Sequence, residues 1–156
     1  GGSLKVKAGD ANGAIADFNK AVDLETDAKK KSSTLYKIAT IYSKSNKSTS
    51  RNYAQKAINA EGSNGRAYLL IAHLYASSAN DCGTTAFEKR AVYWKAAEMA
   101  RQAGRVDPAL SSRASQAAES YSAKAPTKTD IFNSGMAGKT ISFSCWVGGS
   151  IKVPNL

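Results

Sequence analysis

One histidine, two cysteines and a glycine pair are the residues of this chain whose types invite a chemical reading. His73 lies in the run Tyr-Leu-Leu-Ile-Ala-His-Leu-Tyr from Tyr68 to Tyr75. No serine or cysteine sits in a nucleophile elbow beside it. A general base needs a partner and a geometry that this run does not indicate. Cys82 and Cys145 form no Cys-x-x-Cys pair, and with a single histidine they fall short of the usual four zinc ligands. Gly148-Gly149 joins one alternating segment to another rather than to a helix, so it does not match a phosphate-cradling loop. Paired carboxylates of the glycosidase kind cannot be picked out. The expectation is therefore a non-enzyme, with no cofactor and no metal.

Charge is the next chemical feature. A net charge of +10 over 156 residues favours anionic partners and opposes self-association. The basic residues are dispersed: Lys29-Lys30-Lys31 in an expected connector, then single lysines and arginines along each helical segment. There is no arginine-rich stripe with interleaved aromatics. Solvated basic faces are the expected reading, and binding to nucleic acid or an anionic glycolipid is the alternative. No apolar run reaches the roughly eighteen residues of a membrane span, so no transmembrane segment is expected. The length suits one domain that buries its own core.

The elements that must position these residues are helical for most of the chain. Asp10 reads as the N-cap of a helix over residues 11–24, with Ile15, Phe18 and Val22 inward. Residues 26–33 read as a basic connector. Helices follow over 33–44, 50–60 and 66–77, separated by the polar turn 45–49 and the break Gly62-Ser63-Asn64-Gly65. After a loop at 78–84, the capping-box pattern Thr85-Ala86-Phe87-Glu88 opens a long helix to about Val106. Asp107 caps and Pro108 starts the last helix, to about Ala123. The chain changes character at Pro126. Thr140 to Val147 alternates polar and apolar residues and Ser150 to Val153 returns, so a β-hairpin turning at Gly148-Gly149 is expected. An isolated hairpin is marginal in water, so it must pack on the helices.

Two motifs recur. Leu35 to Tyr42, Tyr68 to Tyr75 and Ala114 to Tyr121 each place an alanine (Ala39, Ala72, Ala118) three residues before a tyrosine, on one helix face. Residues 14–22, 50–60 and 96–104 are amphipathic relatives of one another, with small residues at Ala21, Ala57 and Ala103 for close helix approach. Together the two motifs resemble the tetratricopeptide repeat. Asp107-Pro108 fits the proline that often closes that family's unit; Glu25-Thr26 and Glu61-Gly62 lack it, and the family's tryptophan is replaced by Leu35, Tyr68 and Ala114. The resemblance covers roughly residues 4 to 124. It implies an all-α, right-handed array of helical hairpins over residues 1–125, with the tail of residues 126–156 carrying the β-hairpin. Relative to that unit, about a dozen residues are inserted between Tyr75 and Ala96. Only Ser3 to Ala8 remain as a first helix for the first unit. Gly1-Gly2 leave open an omitted upstream segment or a removed leader. Earlier repeats or a second chain would then cover the exposed face, so self-association at the N-terminal end is one expectation.

The resemblance also implies a groove. The family's first helices line a concave face, and the matching positions here are Tyr36, Thr40, Leu69, His73, Ser115 and Glu119. They lack the lysine, arginine and asparagine with which some members grip a C-terminal carboxylate. A protein or peptide partner of unknown identity is expected, on a scaffold rather than a catalyst. Cys82 lies in the insertion and Cys145 in the hairpin, both departures from the plain repeat. Two readings stand: a disulfide that staples hairpin to loop, or two free thiols in a reducing cytoplasm. The first is expected. Ala-Pro-Thr-Lys at 125–128 and Cys-Trp-Val-Gly at 145–148 resemble tails on repeat proteins of the bacterial envelope. That resemblance implies the periplasm or cell envelope, with the cytoplasm as alternative.

Overall fold

Side-chain caps decide where the helices begin. In the computed structural model, which describes residues 8–156, seven α-helices precede and flank a two-stranded sheet. They are α1 (Ala8–Leu24), α2 (Ala28–Tyr42), α3 (Lys47–Ala60), α4 (Gly65–Ser77), α5 (Ala86–Val106), α6 (Ser111–Lys124) and α7 (Lys128–Ser134); the strands are β1 (Thr140–Ser142) and β2 (Ser150–Lys152). Asp27 accepts from the Lys30 N–H, Asn46 from that of Thr49 and Asn64 from that of Ala67, each meeting an amide the first turn leaves free. Thr85 and Glu88 close the expected capping box at α5. Residues 3–7, and with them the expectation about a first helix for the first unit, lie outside the described residues.

Several expectations need correction: Asp10 lies inside the first turn of α1 rather than capping it, and the turn 45–49 ends at Asn46, whose side chain caps α3 from Lys47. The basic connector 26–33 is mostly helix, because the Asp27 cap starts α2 five residues before Ser33 and draws Lys29-Lys30-Lys31 into its first turn. Pro108–Leu110 forms a 3₁₀ turn, with the Leu110 N–H on the Asp107 carbonyl, and α6 proper begins at Ser111. The tail also holds α7, which the sequence reading did not anticipate. Thr127 and Asp130 cap each other's amides there, and Gly135 ends the helix at φ 68°, a conformation glycine adopts without cost. The hairpin is shorter than expected. The strands pair antiparallel in the register Ile141 to Ile151, but residues 143–149 form the connection rather than Gly148-Gly149 alone. Residues beyond Phe143 leave the ladder because Cys145 and Trp146 are bonded elsewhere, and the Gly148 N–H folds back onto the Cys145 carbonyl.

Helices adjacent in sequence pack together, most extensively α2 on α3, α4 on α5 and α5 on α6, which gives the chain its repeat-like character. The recurring alanines sit where the close approach is needed. Ala39 and Ala72 are fully buried and Ala118 nearly so, as are Ala57 and Ala103. Ala21 is the exception and is exposed. Two serines are buried between α2 and α3 and cross-link them: Ser50 Oγ donates to the Ala39 carbonyl at 2.7 Å and Ser32 Oγ to the Ala57 carbonyl at 2.6 Å. A second contact of this intimacy joins α4 to the end of α5, where a Cβ on Gly65 would meet the Ala103 carbonyl at 2.9 Å.

The tail belongs to the same apolar core. Ile131, Ile141, Phe143, Val147 and Val153 are buried in one cluster with Ile38, Ile71 and Val92. Arg90 of α5 ties it down further: it donates to the last carbonyls of α6, Lys124 and Ala125, and to Asp130 of α7 at 2.8 Å. That is the one ion pair among the described residues.

Candidate functional site

Two surfaces gather side chains that could hold a ligand. The first is the face of α2, α4 and α6 named by the repeat motif. Thr40, His73, Ser115 and Glu119 are exposed, and Tyr36 and Leu69 are half-buried. Arg66 of α4 lies over the Tyr36 ring of α2, 5.4 Å from its centre, so the two helices meet there. A cleft of about 210 Å³ opens beside them, with Asn64, Glu61 and Asp107 on its rim. Leu69 packs instead on Ala72, Ala100 and Ala118, at the α4–α5–α6 junction. The structure thus brings Tyr36 together with Arg66 and leaves Leu69 beside α6's alanine. The hydrogen bonds that the tail makes with α3, Ser78 and α5 involve none of the six residues.

The second surface is the junction of insertion and tail, organised by a disulfide. Cys82 and Cys145 are bonded with Cα atoms 5.1 Å apart, within the span a disulfide requires. The expected staple is present. It holds the 3₁₀ turn Ala79–Asp81 against residues 143–149. Around it lies a cluster that patterns in the sequence did not reveal. The Trp146 indole N–H donates to Ser78 Oγ at 2.9 Å, and the Ser78 hydroxyl donates in turn to the Leu74 carbonyl. Arg51 of α3 stands 5.1 Å from the Trp146 ring centre and 6.0 Å from that of Tyr75, and donates to the Val147 carbonyl at 2.6 Å. Lys95 of α5 donates to the Gly148 carbonyl at 2.9 Å and lies over Tyr75 and Phe143. Burial pushes the Lys95 ammonium pKa down, and the nearby Arg51 charge adds to that shift.

Apart from the local Ser78–Leu74 bond, the contacts of this cluster join segments far apart in the chain, which explains why only Cys82 and Cys145 announced it. Arg51 had read as one of many dispersed helix cations, and Trp146 as a strand residue. Gly149 offered a faint signal. It sits at φ 66°, and a Cβ there would strike Lys95 Nζ. Beside the cluster is a shallow cleft of about 390 Å³, lined by Lys44, Asn46, Lys47, Ser48, Asp81 and Trp146 among others. A third cavity of about 470 Å³ lies between the start of α5, the end of α7 and β1, floored by Phe87, Met136 and Ile141. Glu88 on its rim is held below the ordinary carboxylate range by hydrogen bonds from Thr85, which with Thr84 engage its Oε1 in the cap.

No family model, no curated protein and no solved structure matches this chain. No helix among the described residues is long and apolar enough to cross a membrane. No cluster of three or more potential metal ligands occurs among them either.

Proposed function

We propose that the chain is a non-catalytic scaffold of tetratricopeptide type that binds a protein or peptide on the face of α2, α4 and α6. The carrying observation is that sequence-adjacent helices pack through the repeated alanines while Tyr36, Thr40, Leu69 and His73 on the same helices keep exposed surface. In a right-handed array that face is concave. Preformed helices would offer an aromatic, a leucine and hydroxyls to an extended segment with little ordering cost. An envelope or periplasmic setting accords with the disulfide, since such bonds persist in oxidising compartments.

Panning a random peptide library against the full chain tests the proposal. Enriched peptides should lose at least about tenfold in affinity with Tyr36→Ala or Leu69→Ala, roughly 1.4 kcal/mol, measured at a temperature where each variant is still folded by circular dichroism. Peptides indifferent to those substitutions and to His73→Ala would place binding elsewhere and overturn the assignment. The second reading, a basic repeat for nucleic acid or an anionic glycolipid, draws on the net charge of +10. It predicts affinity that falls steeply with salt.

A further inference from the structure

We propose that the cleft between the α2–α3 turn and the disulfide-bonded tail, bordered by Trp146, Asp81, Lys44 and Lys47, binds an anionic saccharide. It is a different surface from the peptide face and does not depend on that reading. The volume, about 390 Å³, lies at the lower end of small-ligand sites and suits one or two sugar rings.

Its chemistry is mixed in a way that matches a charged sugar. Trp146 supplies a flat apolar surface, and its orientation is already set by Ser78 on the indole edge and by Tyr75 and Arg51 beside the ring. Preorganisation of that kind spares a ligand the ordering cost. Ser48 and the Asp81 carboxylate border the same space and can hydrogen-bond sugar hydroxyls. Lys44 and Lys47 enter from the α2–α3 turn, and Arg51 lies one helical turn beyond Lys47. Among the described residues none of these three cations has a carboxylate partner; Lys47 Nζ donates to the Ser77 carbonyl at 3.3 Å and Arg51 to that of Val147, neutral acceptors that leave the positive charge uncompensated.

The disulfide gives the cleft its shape. Asp81 and Trp146 each adjoin one of the bonded cysteines in sequence, so the bond fixes a hydroxyl acceptor next to the aromatic platform. A single-stranded nucleic acid could also stack on Trp146. Such ligands use successive aromatic platforms along a basic groove, however, whereas a single indole borders this cleft.

Trp146 itself can report binding. Trp94→Phe leaves it as the sole tryptophan. The full-length Trp94→Phe protein is titrated with trigalacturonate, with glucose 6-phosphate, with neutral maltotriose, with inorganic phosphate and with oligothymidylate. Saturable quenching by an acidic sugar is expected, with the carboxylated and phosphorylated probes telling which acid is preferred. Maltotriose and phosphate alone should bind at least about tenfold more weakly. The surface double substitution Lys44→Gln/Lys47→Gln should weaken acidic-sugar binding by a similar factor with melting unchanged. Cys82→Ser/Cys145→Ser should weaken it too, and Tyr36→Ala should leave it as it was. No saturable response to either acidic sugar up to about 5 mM, or tighter binding of the oligonucleotide, would overturn the proposal. So would a response indifferent to the lysines.

Discussion

At the scale of single residues, small polar side chains carry unusual weight. Ser50 is fully buried and its hydroxyl crosses from α3 to the Ala39 carbonyl. Ser50→Ala should cost roughly 1–2 kcal/mol in urea unfolding, because the hydrogen bond is lost and little volume changes. A cost near zero would mean that the bond matters little to packing. The carboxylates of the two capping boxes offer a second test. Hydrogen bonds from Thr85 hold Glu88, and hydrogen bonds from Thr127 hold Asp130, below the ordinary carboxylate range. A depressed folded-state pKa favours folding above the ordinary value, and that benefit is lost as pH falls through the lowered one. The stability gap between the natural protein and Glu88→Gln/Asp130→Asn should therefore narrow steadily from pH 5 toward pH 2. A gap that stays constant would assign the caps no charge-dependent role. Lys95 has the same sign of slope, in a higher pH window. Its lowered pKa penalises the charged folded form, so its contribution to stability improves as pH rises toward 10.5.

At the scale of elements, what was legible in the sequence follows from locality. Caps, capping boxes and helical spacing depend on neighbours within one turn, so the helices over α3 to α5 were readable from Ser-Arg-Asn-Tyr, from Tyr68 to Tyr75 and from Thr85-Ala86-Phe87-Glu88. The same logic should have found α7, since Thr127-Lys128-Thr129-Asp130 is a box with aspartate in place of glutamate. It was masked by Pro126 and by the short length of the helix. The strands were overextended for a different reason. The alternation from Thr140 to Val147 is real, and Ile141, Phe143 and Val147 are all buried. Beyond Phe143, though, that burial is against helices rather than across a ladder. The Arg51–Trp146–Lys95 cluster was invisible, as Arg51 and the Val147 carbonyl it bonds lie 96 residues apart. Among interfaces, α4 on α5 is the most exacting. Ala72 is fully buried beside Ala100, so Ala72→Leu should destabilise by roughly 1–3 kcal/mol through overpacking. Unchanged melting would contradict that packing.

At the scale of the whole molecule, a helical stack with local contacts has been tied shut by one long-range bond. The staple between Cys82 and Cys145 spans 63 positions, and its removal should lower stability by up to about 4 kcal/mol, since the unfolded chain regains the freedom of that loop. Comparing melting of Cys82→Ser/Cys145→Ser with the natural protein measures it. A loss below about 1 kcal/mol would indicate that Arg51, Lys95 and the buried hairpin residues hold the tail unaided. The bond has a further consequence of a topological kind. It makes a covalent ring of everything from Cys82 to Cys145, with α5, α6, α7 and β1 as its circumference. A protease that cuts once within that ring, for instance at the exposed Lys124 or Lys128, opens the circle without dividing the molecule. Such a nicked chain should migrate as one species in denaturing gels until a reductant is added, and only then as two.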